Sequence, residues 1–216
     1  MIDLVDLMKT LAAQRTTYHS EADFQHAFAW EVHKRLPDAS VRLERPIHTQ
    51  GKSMHLDFLV RTAERTMAIE LKYKTKKLSV DVDGEEFRLR SHGAQDSGRY
   101  DFIKDICRLE NITASINNCE GWAILLTNES TYWKQPRTNT TVDAAFHINE
   151  GRILHGKLAW TEKASAGTKR NRETDLNVEG KYTLNWNDFS IANTEHYGKF
   201  RFLAVPVPRS TKFINS

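Results

Sequence analysis

Two carboxylates and a lysine stand where an apolar strand would carry aliphatic residues. HLDFLV places Asp57, and AIELKYK places Glu70 and Lys72, inside two otherwise apolar runs. Strand side chains alternate, so Glu70 and Lys72 share a face while Ile69 and Leu71 take the other. Charge embedded in such a run is costly unless it is paired. The polar turn Thr62–Arg65 predicts a hairpin between the runs. Its opposed residues have numbers adding to about 127, which sets Asp57 opposite Glu70. Carboxylates at contact distance repel, and one stays protonated unless a cation bridges them. Magnesium suits such a pair, because it takes oxygen ligands and keeps several waters. The backbone carbonyl of Leu71 can add a ligand. A lysine beside the ion can orient a water, favour its deprotonation or neutralise charge as a phosphate is attacked. These are the parts needed to hydrolyse a phosphodiester. The same three residues also fit a plain salt bridge between Lys72 and either acid.

The elements around this cluster follow from periodicity. Leu4, Leu7, Met8 and Leu11 predict a short first helix. Ser20 and Asp23 resemble a capping box opening a second helix that stops before Pro37. Val41–Glu44 predicts a strand and Gly51 a turn, with further strands at Met54–Arg61 and Thr66–Tyr73. Asp83-Gly84 is a turn signal, Gly98 to Asn111 a third helix, and Gly121–Thr127 a buried strand. Beyond this, Phe146-His-Ile and Arg152-Ile-Leu predict a hairpin about Asn149-Glu-Gly. Tyr182–Trp186 and Phe200–Val207 read as strands, and the nearly apolar-free Thr161–Thr174 as a mobile basic loop. The fold class is α/β (α+β): a mixed sheet flanked by helices, with a core over about 20–127 and a β-rich extension over about 128–208.

Asp57, twelve intervening residues, then Glu70-Leu71-Lys72 resembles the PD-(D/E)XK nuclease superfamily. The resemblance spans roughly Ser20–Thr127 and includes the order of elements. One departure is Leu56, where the motif has proline. The resemblance implies a restriction-endonuclease-like sheet, DNA as partner and cleavage leaving a 5′-phosphate, and it admits a homodimer. It implies Asp57, Glu70 and the Leu71 carbonyl as ligands of Mg2+ (or Mn2+), with Lys72 assisting the attacking water. It also carries over a helix glutamate, for which Glu21 is the matching position. Glu21 projects beside Phe28 and Val32 with Gln25 next to it, at about 100° per residue, and its other role is first-turn stabilisation by the helix dipole.

Lys74, Lys76 and Lys77 continue from the motif strand, and Arg99, Lys104 and Arg108 lie on the polar side of the third helix; these could meet phosphates or simply solubilise the chain. Glu31 is expected to form a structural ion pair, with Arg35 or with a strand residue, Tyr132 and Trp133 to pack in the core, and His55 to be a partly buried histidine on the Asp57 face. Gln95 and Tyr100 miss the QxxxY spacing by one residue. No GxGxxG or P-loop follows a strand, which argues against a nucleotide site.

Hydrophobic residues at 39% and charged residues at 27% exclude disordered, collagen-like and coiled-coil chains. A net charge of +3 permits a polyanionic partner without requiring one. No run approaches the roughly 20 apolar residues of a membrane helix. Asp3 and Asp6 break any signal-like N-terminus, and Cys107 and Cys119 lack metal spacing, so reduced thiols in the cytoplasm are expected. Two other classes remain open: a non-catalytic nucleic-acid- or protein-binding module of the same fold, and a structural domain whose salt bridges mimic the motif.

Overall fold

The computed structural model describes residues 2–49, 52–138, 140–194 and 196–209; the expected turn at Gly51 lies outside them. Helix α1 (Leu4–Gln14) is capped by the Asp3 carboxylate, and α2 (Glu21–Arg35) by the Ser20 hydroxyl, which accepts from Asp23 N–H. The capping box is displaced by one residue: the Asp23 carboxylate takes the His19 N–H rather than that of Ser20. Strands β1 (Ser40–Thr49), β2 (Lys52–Arg61) and β3 (Thr66–Lys74) form an antiparallel meander. The β2–β3 turn closes through the Thr62 hydroxyl, which accepts from Arg65 N–H.

The hairpin β4 (Leu78–Val82) and β5 (Glu85–Leu89) turns at Asp83 and Gly84, with φ of 54° and 84°, the positive values that the tight hairpin turn demands. Helix α3 (Gln95–Ser115) then crosses the sheet, and β6 (Cys119–Thr127) returns parallel to β3. Beyond a 3-10 turn at Ala144–Phe146 come β7 (Ile153–Leu158), the single-turn α4 (Ala166–Lys169), β8 (Leu176–Thr183), β9 (Trp186–Ile191) and β10 (Lys199–Val207).

The result is a mixed α/β protein. Its six-stranded sheet runs β1-β2-β3-β6-β10-β9, with β3 and β6 as the parallel pair, and the hairpins β4–β5 and β7–β8 stand apart from it. The sheet separates two apolar cores. Leu7, Phe24, Phe28, Ile69, Leu71 and Phe202 pack beneath α1 and α2; Leu59, Ala68, Ile106, Leu109, Leu125 and Leu203 pack beneath α3. Gly121 lets α3 settle close to the strands: a Cβ there would stand 3.1 Å from the Cβ atoms of both Leu109 and Val207. That approach brings the polar groups of α3 within reach of β3.

The C-terminal third departs from its reading as an extension, because β10 is a central strand buried between β6 and β9. The expected hairpin at Phe146–Leu154 does not form. Gly151 has the positive φ of a turn (74°), but its flanks are claimed elsewhere. Arg152 donates to the carbonyls of Ala144 and Ala145, Trp186 Nε1 donates to Ile148 O, and β7 pairs with β8. The 161–174 loop is tied down, with Trp160 Nε1 donating to Arg172 O and the Arg172 guanidinium paired to Asp101 at 2.7 Å. Among the described residues no helix is long and apolar enough to cross a membrane.

Candidate active site at the β2–β3 edge

Strands β2 and β3 pair in the register expected from the sequence, Phe58 opposite Ile69 and Arg61 opposite Thr66. The ladder ends at Phe58–Ile69. Beyond it a side chain replaces the backbone partner: Asp57 Oδ2 accepts from Leu71 N–H at 2.7 Å. Two residues further along β3, Glu21 Oε2 accepts from Tyr73 N–H at 2.7 Å. Alternate strand residues present their N–H groups to one edge, about 7 Å apart. Glu21 from the first turn of α2 and Asp57 from β2 therefore line the same edge of β3. Glu21, the helix glutamate singled out from the sequence, thus meets the motif strand through the Tyr73 backbone.

Glu70 and Lys72 project from β3 toward α3, which supplies two residues absent from the motif. Asp105 is buried, with Oδ2 3.0 Å from Lys72 Nζ. Arg108 reaches Glu70 Oε1 through Nη2 and Asp105 Oδ1 through Nη1, both at 3.0 Å, and donates to the His55 carbonyl at 2.7 Å. Lys72 Nζ also donates to Leu71 O at 3.3 Å and lies 3.9 Å from Asp57 Oδ2. Three carboxylates and two cations thus share one buried patch. His55 itself is exposed rather than partly buried.

The electrostatics of the patch are lopsided. Glu70 is only 2% exposed, and burial followed by the charges of Asp105 and Asp57 pushes its carboxyl up to about 9, against the pull of Arg108 and Lys72. Asp105 is raised in the same direction by burial. Lys72 is raised despite its burial, chiefly by Asp105 and then Asp57. Neither Glu70 Oε1 nor Asp105 Oδ2 has a well-aligned hydrogen bond, although each is within ion-pair distance of a cation.

The patch is not a preformed metal cage: among the described residues no three His, Cys, Asp or Glu side chains are grouped to hold an ion. Magnesium does not require one, since one or two carboxylates plus waters suffice. Oxygen donors at Asp57, Glu70 and Leu71, with a glutamate held against its charge, fit a small hard cation.

The remaining sequence candidates scatter. Lys76 Nζ pairs with Glu129 at 2.8 Å, and Arg99 pairs with Asp143 at 2.6 Å while donating to Thr131 O. Both are engaged within the fold. Lys74 is half-buried, whereas Lys77 and Lys104 are exposed. Glu31 pairs with Arg35 as expected, and Tyr132 and Trp133 are buried. Sequence reasoning missed Asp105, although a signal existed: it occupies a core position of α3 between Phe102, Ile106 and Leu109, where an apolar residue is the rule. No protein-family model, curated protein or solved structure matches this chain.

Proposed function

We propose that this protein is a metal-dependent nuclease with a restriction-endonuclease-like sheet that hydrolyses phosphodiester bonds in DNA as an endonuclease. The observation that carries the reading is the convergence of Asp57, Glu70 and Lys72 at the end of the β2–β3 ladder, in the register that their spacing demands. Asp57, Glu70 and the Leu71 carbonyl would hold Mg2+ or Mn2+, and Glu21 stands on the same strand edge to contribute directly or through water. The bound ion would supply positive charge for both acids and a more acidic water.

The chain's own residues do the rest. Asp57 fixes the edge of β3 through Leu71 N–H. Lys72, kept charged by its carboxylate neighbours, offers an ammonium where negative charge develops on an attacked phosphate. Arg108 offsets the charge on Glu70 and Asp105 in the metal-free protein. Lys77 and Lys104 are available to backbone phosphates.

Supercoiled plasmid and short duplexes incubated with magnesium, manganese or EDTA test this reading. Cleavage in either metal, abolished by EDTA and by Asp57→Asn, is expected. Intact DNA in both metals, or cleavage persisting in EDTA, contradicts it. One observation favours a second reading, a non-catalytic nucleic-acid- or protein-binding module: Arg108 already neutralises Glu70 and Asp105. That reading requires binding without cleavage and no response to manganese.

A further inference from the structure

We propose that Asp105 is a positioning residue for Lys72, holding its ammonium at the site for the chemistry of the nuclease reading, on which this inference rests. Among the described residues Lys72 has three oxygen neighbours: Leu71 O at 3.3 Å, Asp57 Oδ2 at 3.9 Å and Asp105 Oδ2 at 3.0 Å. The Asp105 contact is the shortest. It also comes from a different element, so it fixes the end of the lysine chain rather than following its own backbone. Asp105 is in turn fixed by Arg108, whose guanidinium spans Asp105 Oδ1 and Glu70 Oε1.

An α3 that served packing alone would carry an aliphatic residue at position 105, between Phe102, Ile106 and Leu109, which are all buried. Placing a carboxylate there costs desolvation that an ion pair offsets only with good geometry. The charge at this core position is explained by what it holds. A lysine has four rotatable side-chain bonds, and an ammonium that must meet developing charge gains from being held in place beforehand.

The test combines cleavage with a readout independent of activity. Asp105→Asn should lower single-turnover cleavage about 10–100-fold, the usual cost of losing a group that orients a site residue. Affinity for the same duplex in calcium should stay within about twofold, because phosphate contacts elsewhere carry binding. On a Lys72→Met background the same substitution should cost little more, since the two act as one unit. Lysine-selective NMR should show a rigid Lys72 side chain in the wild type becoming mobile in Asp105→Asn.

Asp105→Glu keeps the charge on a longer arm and should recover part of the rate, and it serves as the test should the asparagine variant fail to fold. A Lys72 side chain that is equally rigid in Asp105→Asn overturns the proposal whatever the cleavage assay reads. So does a rate loss that adds in full to that of Lys72→Met. Failure of the wild type to cleave in any metal overturns the nuclease reading instead, and the NMR arm still reports on the positioning.

Discussion

Two buried glutamates of this protein, each facing an arginine, have opposite fates. Glu31 on α2 accepts from Gln14 Nε2 and Arg35 Nε and pairs with Lys34. Its oxygens are satisfied by donors, and those hydrogen bonds hold its carboxyl below the ordinary range despite burial. Glu70 on β3 faces Arg108 but also the carboxylates of Asp57 and Asp105, and its carboxyl is driven up to about 9. Burial is similar, at 5% and 2% exposed. The difference lies in the charge count of the neighbours. Glu31 has the cations Lys34 and Arg35 against it, so its cluster closes on itself; Glu70 has two cations, Arg108 and Lys72, offset by two carboxylates, Asp105 and Asp57, so nothing makes up for its burial. A closed cluster ties α1 to α2, whereas a buried glutamate pushed this far from its ordinary range marks a functional-site candidate.

The largest expected effect separates the lysines of the two clusters. Lys72→Ala should lower single-turnover cleavage on the order of 100-fold or more, because oriented charge at the reacting phosphate is commonly worth several kcal/mol. Lys34→Ala, on the closed cluster, should leave cleavage unchanged. If Lys72→Ala cleaves at the wild-type rate while losing DNA affinity in calcium, Lys72 is a binding residue and the contrast collapses.

Stability should split by sign. Glu31→Gln removes the acceptor of charge-assisted hydrogen bonds and should cost about 1–3 kcal/mol, read as a fall of several degrees in the thermal midpoint. Glu70→Gln removes the cost of holding a proton on a buried carboxyl and should raise the metal-free midpoint at pH 8 by a few degrees. Parallel shifts in the two variants would show that the clusters do not differ.

The pH dependence follows the same signs. Glu31, with its folded carboxyl depressed, contributes stability present above about pH 4.5 that is lost as pH falls through its folded value. Glu70 acts the other way. Between its unfolded value of 4.5 and about 9 the folded protein holds a proton that the unfolded chain releases, so its contribution falls as pH rises through that window. Metal-free midpoints between pH 5 and 9 should decline more steeply in the wild type than in Glu70→Gln. Equal slopes would remove the assigned shift.

Much of the site was legible because it depends on local rules. Alternation put Glu70 and Lys72 on one face, and a short turn set the register that brings Asp57 to them. The Glu31–Arg35 pair is an i, i+4 contact within one helix. What escaped is non-local. Arg108 looked solvent-facing from its helix alone, and only the docking of α3 over Gly121 turns it onto Glu70. The place of β10 between β6 and β9 depends on pairing across some eighty residues of chain. The 146–148 segment has strand composition, but Trp186 takes the Ile148 carbonyl and Arg152 takes those of Ala144 and Ala145 just before it.

The smallest effect concerns the surface. Lys77→Ala should weaken duplex binding modestly and reduce the slope of log affinity against log salt by about 1, with cleavage at saturating protein unchanged. A strong loss of rate in this variant would extend the site beyond the β2–β3 edge.

Manganese binding at pH 8, followed by titration calorimetry without DNA, tests the central contrast most directly. Wild-type protein and Glu31→Gln should each show a saturable site, and Glu70→Gln should lose it, because Glu70, unlike Glu31, is crowded by the carboxylates of Asp57 and Asp105. Absence of binding in the wild type, or undiminished binding in Glu70→Gln, would contradict the account.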